Sequence, residues 1–132
     1  MSSSERLTKV GFVLLGVTDL ERSTAFYRDR LGMKVQSTFG GFTFLDAGAL
    51  SLGLSKELGA TRRPTAGSVE VVFRVDDVQA THEALRAHGV AFTQAPRQVT
   101  AAEWAANFTD PDGHCLSIFG PVGEMPAATA SK

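Results

Sequence analysis

The chain has 132 residues, a net charge of −1, 43% hydrophobic residues and one cysteine. This length predicts a single domain, which would bury roughly two-thirds of its unfolded surface. Lys and Arg residues are scattered, which argues against nucleic-acid binding, because that function needs a basic patch. Cys115 has no second cysteine to pair with, so a disulfide framework and a cysteine-based zinc site are excluded.

No segment predicts export or insertion into a membrane. Residues 1–10 contain neither an apolar run nor a small-residue cleavage site, so we expect no signal peptide. No apolar stretch approaches the ~20 residues that a membrane-spanning helix needs. We therefore expect a soluble, cytoplasmic protein.

In the first half, the pattern begins with a polar tail over residues 1–6. Residues 9–17 are apolar at both odd and even positions, which predicts a strand covered on both faces. Thr18 or Asp19 is placed to cap a following helix, and Gly32 to end it. Three shorter strands are predicted over residues 34–39, 42–46 and 50–54, with Gly40-Gly41 forming a hairpin turn.

A polar segment, residues 55–67, has the composition of a loop. The second half then predicts a strand over 68–75, a helix capped by Asp76 or Asp77 that ends at Gly89, and a strand over 91–93. Residues 100–103 have capping-box spacing, which favours a short helical turn carrying Trp104. A last hairpin begins at Phe108, turns at residues 110–113 and ends in a strand over 115–119; a loose tail follows.

The second half repeats the first. Residues 17–35 and 75–92 share a pattern of strand end, amphipathic helix and turn, with offsets of 58 at Val17 and Val75 and 57 at Gly32 and Gly89. An internal repeat indicates one supersecondary unit used twice, in which each copy buries the apolar face of the other.

The predicted fold class is α+β, with two tandem βαβββ modules in one domain. We place the first module at residues 7–55, a linker at 56–67, the second module at 68–120 and the tail at 121–132. We expect the two modules to form a curled mixed sheet with a central cleft inside and helices outside.

Each module carries a set of short motifs. The first contains Val17-x-Asp19-Leu20-Glu21-x-Ser23, Phe26-Tyr27 and Leu31-Gly32, and the second contains Phe73-x-Val75-Asp76-Asp77-Val78 and Asp110-Pro111-Asp112-Gly113. These motifs resemble those of the vicinal oxygen chelate superfamily, the group of glyoxalases, bleomycin-resistance proteins and extradiol dioxygenases. The resemblance covers residues 7–120. It implies paired βαβββ modules and a homodimer.

The resemblance also implies four positions for the ligands of a divalent ion, on the first and last strands of each module. The positions seven residues before Asp19 and Asp77 are Phe12 and Glu70, and aligning Leu50-Ser51-Leu52 with Leu116-Ser117-Ile118 adds Ser51 and Ser117. A slip of one residue would put a leucine in place of Ser51. Only Glu70 is a good ligand for a divalent cation. His82 and His88 do not share a helix face, and His114 has the opposite strand parity to Ser117. We therefore expect no catalytic metal and no other cofactor.

Glu70 is the strongest candidate for a functional residue. It would anchor a ligand amine or hydroxyl in an apolar cleft, or act as a general base whose proton affinity is raised by burial. The competing interpretation is a solvated glutamate on an open sheet face. Arg74 lies on the same face but about 13 Å away, so we expect it at the rim or in the dimer interface.

Several aromatic side chains are candidate pocket walls. We expect most of them to be core and two or three to line a slot for a flat or hydrophobic ligand, with Phe12 and Trp104 favoured. Cys115 is expected to be a small buried hydrophobe. The aromatic candidates are Phe12, Phe42, Phe44, Trp104, Phe108 and Phe119; the full predicted ligand-binding set is Phe12, Ser51, Glu70, Val72, Trp104, Ser117 and Phe119.

Two functions remain open at this point. The first is a binding protein similar to the bleomycin-resistance type, which holds a small hydrophobic or aromatic molecule without a metal. The second is a superfamily lyase, isomerase or dioxygenase that uses Glu70 as base or an altered metal site.

Overall fold

The computed structural model describes residues 8–61 and 69–123. The chain divides into two compact units, Met1–Pro64 and Thr65–Lys132. We refer to them as the first and second modules. The predicted polar tail over residues 1–6 lies outside the described residues.

The first module contains strand, helix and three strands, as predicted. The helix α1 is continued by a π-helical segment, Phe26–Arg30, and a further helix α2 follows the last strand. The sheet order is β1-β4-β3-β2, with β1 parallel to β4 and the other pairs antiparallel. The elements are β1 (Phe12–Gly16), α1 (Leu20–Ala25), β2 (Val35–Phe39), β3 (Phe42–Asp46), β4 (Ser51–Ser55) and α2 (Lys56–Thr61).

The second module repeats this topology, with sheet order β5-β8-β7-β6 and β5 parallel to β8. The predicted α+β class with tandem βαβββ modules is therefore confirmed. Its elements are β5 (Glu70–Arg74), α3 (Val78–Ala87), β6 (Phe92–Gln98), β7 (Trp104–Thr109) and β8 (Cys115–Gly120).

Equivalent aspartates start the helix that follows the first strand of each module. The Asp19 carboxylate accepts a hydrogen bond from the backbone N–H of Arg22 at 3.1 Å, and the Asp77 carboxylate accepts one from Ala80 at 3.0 Å. Each bond satisfies an N–H group that has no partner within its helix. The backbone N–H groups of Ala80 and Gly123 lower the pKa of Asp77, because they stabilise its ionised form.

Each module buries the sheet face that its own helix covers. In the first module, Thr24 on α1 shares a hydrogen bond of 2.9 Å between hydroxyl groups with Thr43 on β3, and both residues are buried. In the second module, the ring centroid of His82 on α3 lies 4.5 Å from that of Phe92. The Phe92 centroid lies 5.0 Å from that of Phe108 on β7. Strand alternation then assigns each remaining side chain to the helix face or to the opposite, open face.

The interpretation of residues 55–67 as a loop is wrong at its start, because Lys56–Thr61 forms α2. This helix lies against the end of β1, and Gly59 allows the close approach. A Cβ atom at Gly59 would collide with the backbone of Val17, while one at Gly16 would lie 2.9 Å from the Gly59 nitrogen. Residues 62–67 of the predicted loop lie outside the described residues.

The helical turn predicted at residues 100–103 is also wrong. The backbone N–H groups of Val99 and Thr100 both donate to the Glu103 carbonyl, so the chain turns back tightly and Trp104 begins β7. A capping box would bond each side chain to the backbone N–H of the other residue. Instead, the Thr100 hydroxyl donates directly to the Glu103 carboxylate at 3.1 Å. This bond closes a hairpin between β6 and β7, and β6 extends to Gln98 instead of ending near Thr93.

The predicted loose tail begins with ordered contacts. The Pro121 carbonyl accepts a hydrogen bond of 2.8 Å from the Val78 N–H at the start of α3. Residues 124–132 of that tail lie outside the described residues. No helix within the described ranges is long and apolar enough to cross a membrane.

We expect Gly59→Ala to destabilise the protein by about 1–3 kcal/mol, because the added methyl group pushes α2 away from β1. The measurement is the free energy of unfolding from urea denaturation. Gly11→Ala is the matched control, because a Cβ atom there meets nothing within 4 Å. Equal stability of the two variants would contradict the packing described here.

Candidate ligand-binding faces

The open face of the first sheet is aromatic. Thr43 faces α1, so alternation places Phe42 and Phe44 on the other side of β3. The same face continues across the sheet through paired residues, because Phe44 pairs with Gly53 and Gly53 pairs with Leu14. We name it the phenylalanine face; its phenylalanines are Phe12, Phe39, Phe42 and Phe44.

Phe44 lies at the centre of these four rings. Its centroid lies 5.4 Å from Phe12 in an edge-to-face arrangement and 5.8 Å and 6.1 Å from Phe39 and Phe42 in stacked arrangements. Phe12 and Phe39 are 52% and 60% exposed. The expectation that both faces of the first strand are covered is therefore wrong, because the open face exposes Phe12.

Phe39 was not among the predicted pocket residues. A sequence signal existed, because a tight turn at Gly40-Gly41 places Phe39 opposite Phe42 on the same side of the hairpin. An exposed apolar patch of this kind marks a binding surface more often than isolated exposed hydrophobic residues do.

Ser51 lies on the same face, as predicted, because its neighbours Leu52 and Leu54 are buried on the helix side. Its hydroxyl donates a hydrogen bond of 2.6 Å to the side-chain carbonyl of Gln36.

The alignment of Ser51 with Ser117 is wrong by two residues. Leu14 pairs with Gly53 in the first module, and its repeat equivalent Val72 pairs with Ser117 in the second. Gly53 is therefore the counterpart of Ser117. A shift of two residues keeps every side chain on its own face, so the alternating pattern could not reveal the error.

The open face of the second sheet is mixed and mainly polar. Phe92 and Phe108 face α3, so alternation places Asn107 on the opposite side, where the register continues through Ser117 to Val72. We name it the polar face; its residues used below are Glu70, Val72 and Arg74 on β5, Ser117 and Phe119 on β8, Asn107 on β7 and Arg97 on β6.

A chain of hydrogen bonds crosses this face. The Asn107 amide donates to the Glu70 carboxylate at 2.8 Å, and the Arg97 guanidinium donates to the Asn107 side-chain carbonyl at 2.7 Å. Glu70 itself is exposed, so burial does not make it a general base. Asn107 and Arg97 were missed by the sequence analysis, because their roles depend on the bulged register between β6 and β7.

Arg74 is engaged at the other end of β5. Its guanidinium forms an ion pair of 3.3 Å with Glu103 and lies 5.6 Å from the centroid of the Phe119 ring. This arrangement fits the expectation that Arg74 and Glu70 do not pair.

Trp104 does not join the other predicted ligand-binding residues. It has the same parity along β7 as the helix-facing Phe108, so it lies on the side of the sheet opposite Glu70. The structure thus groups Phe12 and Ser51 on one open face and, on the other, Glu70, Val72, Ser117 and Phe119. The cleft expected between the modules stays a prediction.

The chain matches the family model of the Glyoxalase/Bleomycin resistance protein/Dioxygenase superfamily over residues 9–118. It belongs to that superfamily. The resemblance inferred from the sequence motifs is confirmed. None of the curated protein sequences matches the chain significantly.

Three solved structures illustrate the proteins whose fold this chain shares. TnmS3, an antibiotic binding protein from Streptomyces sp. CB03234, is 26% identical with a TM-score of 0.73, over 87% of this chain and 97% of that chain. A glyoxalase/bleomycin resistance protein/dioxygenase from Nocardioides is 23% identical with a TM-score of 0.73, over 95% and 93% of the two chains. The lactoylglutathione lyase of Agrobacterium tumefaciens is 18% identical with a TM-score of 0.70, over 88% and 96%, and shows the shared fold alone.

The superfamily metal is a poor fit to these residues. With the corrected register, the four ligand positions carry Phe12, Gly53, Glu70 and Ser117, which supply one carboxylate and one hydroxyl. A divalent ion needs several carboxylate, imidazole or carbonyl ligands. No group of three or more His, Cys, Asp or Glu residues within residues 8–61 and 69–123 is placed to hold a metal ion.

Gly53 adds a steric obstacle. A Cβ atom there would lie 2.5 Å from the Leu14 side chain and 2.8 Å from the Phe44 ring. Neighbouring apolar groups therefore occupy the space that a side-chain ligand at this position would need.

His82 belongs to the core and not to either open face. It is buried against Phe92, and its Nδ1 atom has no hydrogen-bond partner among the residues that the structure describes. Burial lowers the pKa of His82 below its ordinary value of 6.5, and the nearby charge of Arg86 lowers this pKa further, while Glu83 acts in the opposite direction.

We expect no divalent metal to copurify at one ion per chain, because a single carboxylate cannot hold it. The measurement is elemental analysis of untagged protein purified without chelator, together with the melting temperature in added Mn²⁺ or Ni²⁺. A site filled to 100 times its Kd would stabilise the fold by about 2.7 kcal/mol. Such a shift, or a stoichiometric ion, would contradict the expectation.

We expect the folded state to lose stability as the pH falls below 6.5, because the unfolded chain binds the His82 proton more readily than the folded one does. This stabilising contribution is fully present above the pKa of His82 in the unfolded chain. It is lost as the pH falls through the lower pKa of His82 in the folded protein. His82→Leu should flatten this part of the profile of unfolding free energy against pH, whereas the control His88→Gln should retain it. An unchanged profile in His82→Leu would count against this account.

Proposed function

We propose that this superfamily member binds a small aromatic molecule on the phenylalanine face, without a catalytic metal. The observation that carries the proposal is the group of four phenylalanines whose rings contact one another on an open sheet face. Two of them, Phe12 and Phe39, expose more than half of their surface. Contiguous exposed apolar side chains of this kind mark a ligand-binding or interaction surface.

The ring geometry favours a flat ligand. Phe39, Phe42 and Phe44 lie with interplanar angles of 34° or less, while Phe12 stands at 83° to Phe44. A planar molecule can therefore stack on one group of rings and meet the other ring edge-on. Aromatic pairs in these arrangements contribute about 0.5–1.5 kcal/mol beyond the area that they bury.

The comparison with TnmS3 supports a binding role. At 26% identity over 97% of that chain, the likeness extends beyond fold to a protein described as antibiotic binding. A hydrophobic, ring-bearing ligand is the class that the phenylalanine face suits.

Several finer features remain predictions. The homodimer rests on the resemblance to the superfamily, and the cytoplasmic location on the composition of the chain. Catalysis with Glu70 as the base is the alternative to binding alone. That the site works without a metal is part of the proposal.

We expect the apolar dye N-phenyl-1-naphthylamine to bind saturably, with a rise in its fluorescence. Replacing both Phe12 and Phe39 with Leu keeps the surface apolar but removes two rings, so the Kd should rise about tenfold, equivalent to about 1.4 kcal/mol. The exposed Val99, on the second module, provides the control Val99→Ala.

Equal affinity of the wild-type protein and the Phe12→Leu/Phe39→Leu variant would refute the phenylalanine face as the binding surface. A circular dichroism spectrum of each variant establishes that the fold is retained.

A further inference from the structure

Glu70 carries a negative charge that no described residue neutralises directly. Its observed partner is the Asn107 amide, a neutral donor, which bonds to one of the two carboxylate oxygens. No ion pair to Glu70 forms within the described parts of the chain, whereas Arg28 pairs with Asp29 and Arg74 with Glu103. An ionised carboxylate has about four acceptor positions, so most of its capacity is available to a ligand.

Hydrogen-bond chemistry fixes the orientation of the Asn107 side chain. Arg97 can only donate, so the atom that it contacts at 2.7 Å must be the Asn107 carbonyl oxygen. The NH₂ group then points at Glu70, which can accept but not donate when ionised. The Arg97 contact therefore holds Asn107 in the one orientation that keeps the Glu70 carboxylate in place.

The cationic side chains of this face have other partners. Arg97 bonds to Asn107 and to the Ala105 carbonyl, while Arg74 pairs with Glu103 and lies over Phe119. Neither is placed to neutralise Glu70. Beside Glu70, two residues along the same strand, Val72 is 52% exposed and offers an apolar surface.

We infer that the polar face binds a protonated amine, with Glu70 accepting its N–H groups and Val72 contacting its carbon skeleton. Asn107 is a positioning residue that holds the carboxylate. A hydrogen bond from a charged donor to a carboxylate is about twice as strong as one between neutral groups. An ammonium group therefore gains more at Glu70 than a hydroxyl group does, and a carboxylate is repelled. The inference does not depend on ligand binding at the phenylalanine face.

Three small probes of the same size test this charge preference: 2-phenylethylamine, 2-phenylethanol and phenylacetate. Each is titrated into ¹⁵N-labelled protein at pH 7 while the backbone amides and the side-chain NH₂ signals of Asn107 are followed by NMR. We expect 2-phenylethylamine to shift the Asn107 and Val72 signals saturably, with a Kd of about 1 mM, as is usual for a fragment. The other two probes should shift these signals at least tenfold more weakly.

Glu70→Gln is nearly isosteric and removes the charge, so the Kd for 2-phenylethylamine should rise about tenfold. Glu83→Gln is the matched control, because it removes the same charge from the exposed face of α3 in the same module. Asn107→Ala should weaken binding severalfold, because the amide donor that positions the carboxylate is gone.

Equal binding of the amine to wild-type protein and Glu70→Gln would overturn the inference. So would stronger shifts at Asn107 with phenylacetate, or amine-induced shifts confined to Phe12, Phe39 and their neighbours. The last result would leave the proposed function intact, and a failure of dye binding at the phenylalanine face would leave the amine site untouched. The dispersion of the amide spectrum reports the fold of every variant.

Discussion

The organisation of both modules depends on a single constraint: each helix covers only one face of its sheet. Because side chains alternate along a strand, burying one parity commits the other parity to the open face. The hydroxyl pair between Thr24 and Thr43, and the ring contact between His82 and Phe92, fix which parity is buried in each module. The chemistry of the open faces follows from the residues that remain.

The two open faces differ although their backbones repeat. Phe12 and Glu70 occupy the same place in the first strand of each module, 58 residues apart, and pair with Ser51 and Cys115. Around Phe12 the neighbouring strands supply further rings, whereas around Glu70 they supply an amide and a guanidinium. A duplicated scaffold thus presents an apolar surface in one copy and a hydrogen-bonding surface in the other.

Much of this architecture could be predicted from the sequence, since it depends on local signals. Asp19 and Asp77 mark helix starts, and the alternation in β5 separates Glu70 from Val71. The failures share a cause, because each concerns a choice that local patterns leave open. A register shift of two residues preserves alternation, so Gly53 was overlooked in favour of Ser51. Thr100 and Glu103 have the spacing of a helix cap but bond to each other in a hairpin turn, and this ambiguity placed Trp104 on the wrong element.

The missed polar residues illustrate a second limit. Asn107 and Arg97 come together because the pairing of β6 with β7 is bulged. No feature of the neighbouring sequence indicates that register. Tertiary pairing determines their partners, whereas the exposed position of Phe39 was within reach of hairpin geometry alone. Functional side chains that depend on distant strands are the hardest to recognise from one sequence.

The packing around Gly53 bears on how this chain could change over evolutionary time. A side chain added there would meet a Leu14 methyl group and the Phe44 ring, which would have to shift to make room. A substitution at Gly53 is therefore coupled to the positions of Leu14 and Phe44, so a side chain gained there would rearrange the ring cluster at the same time.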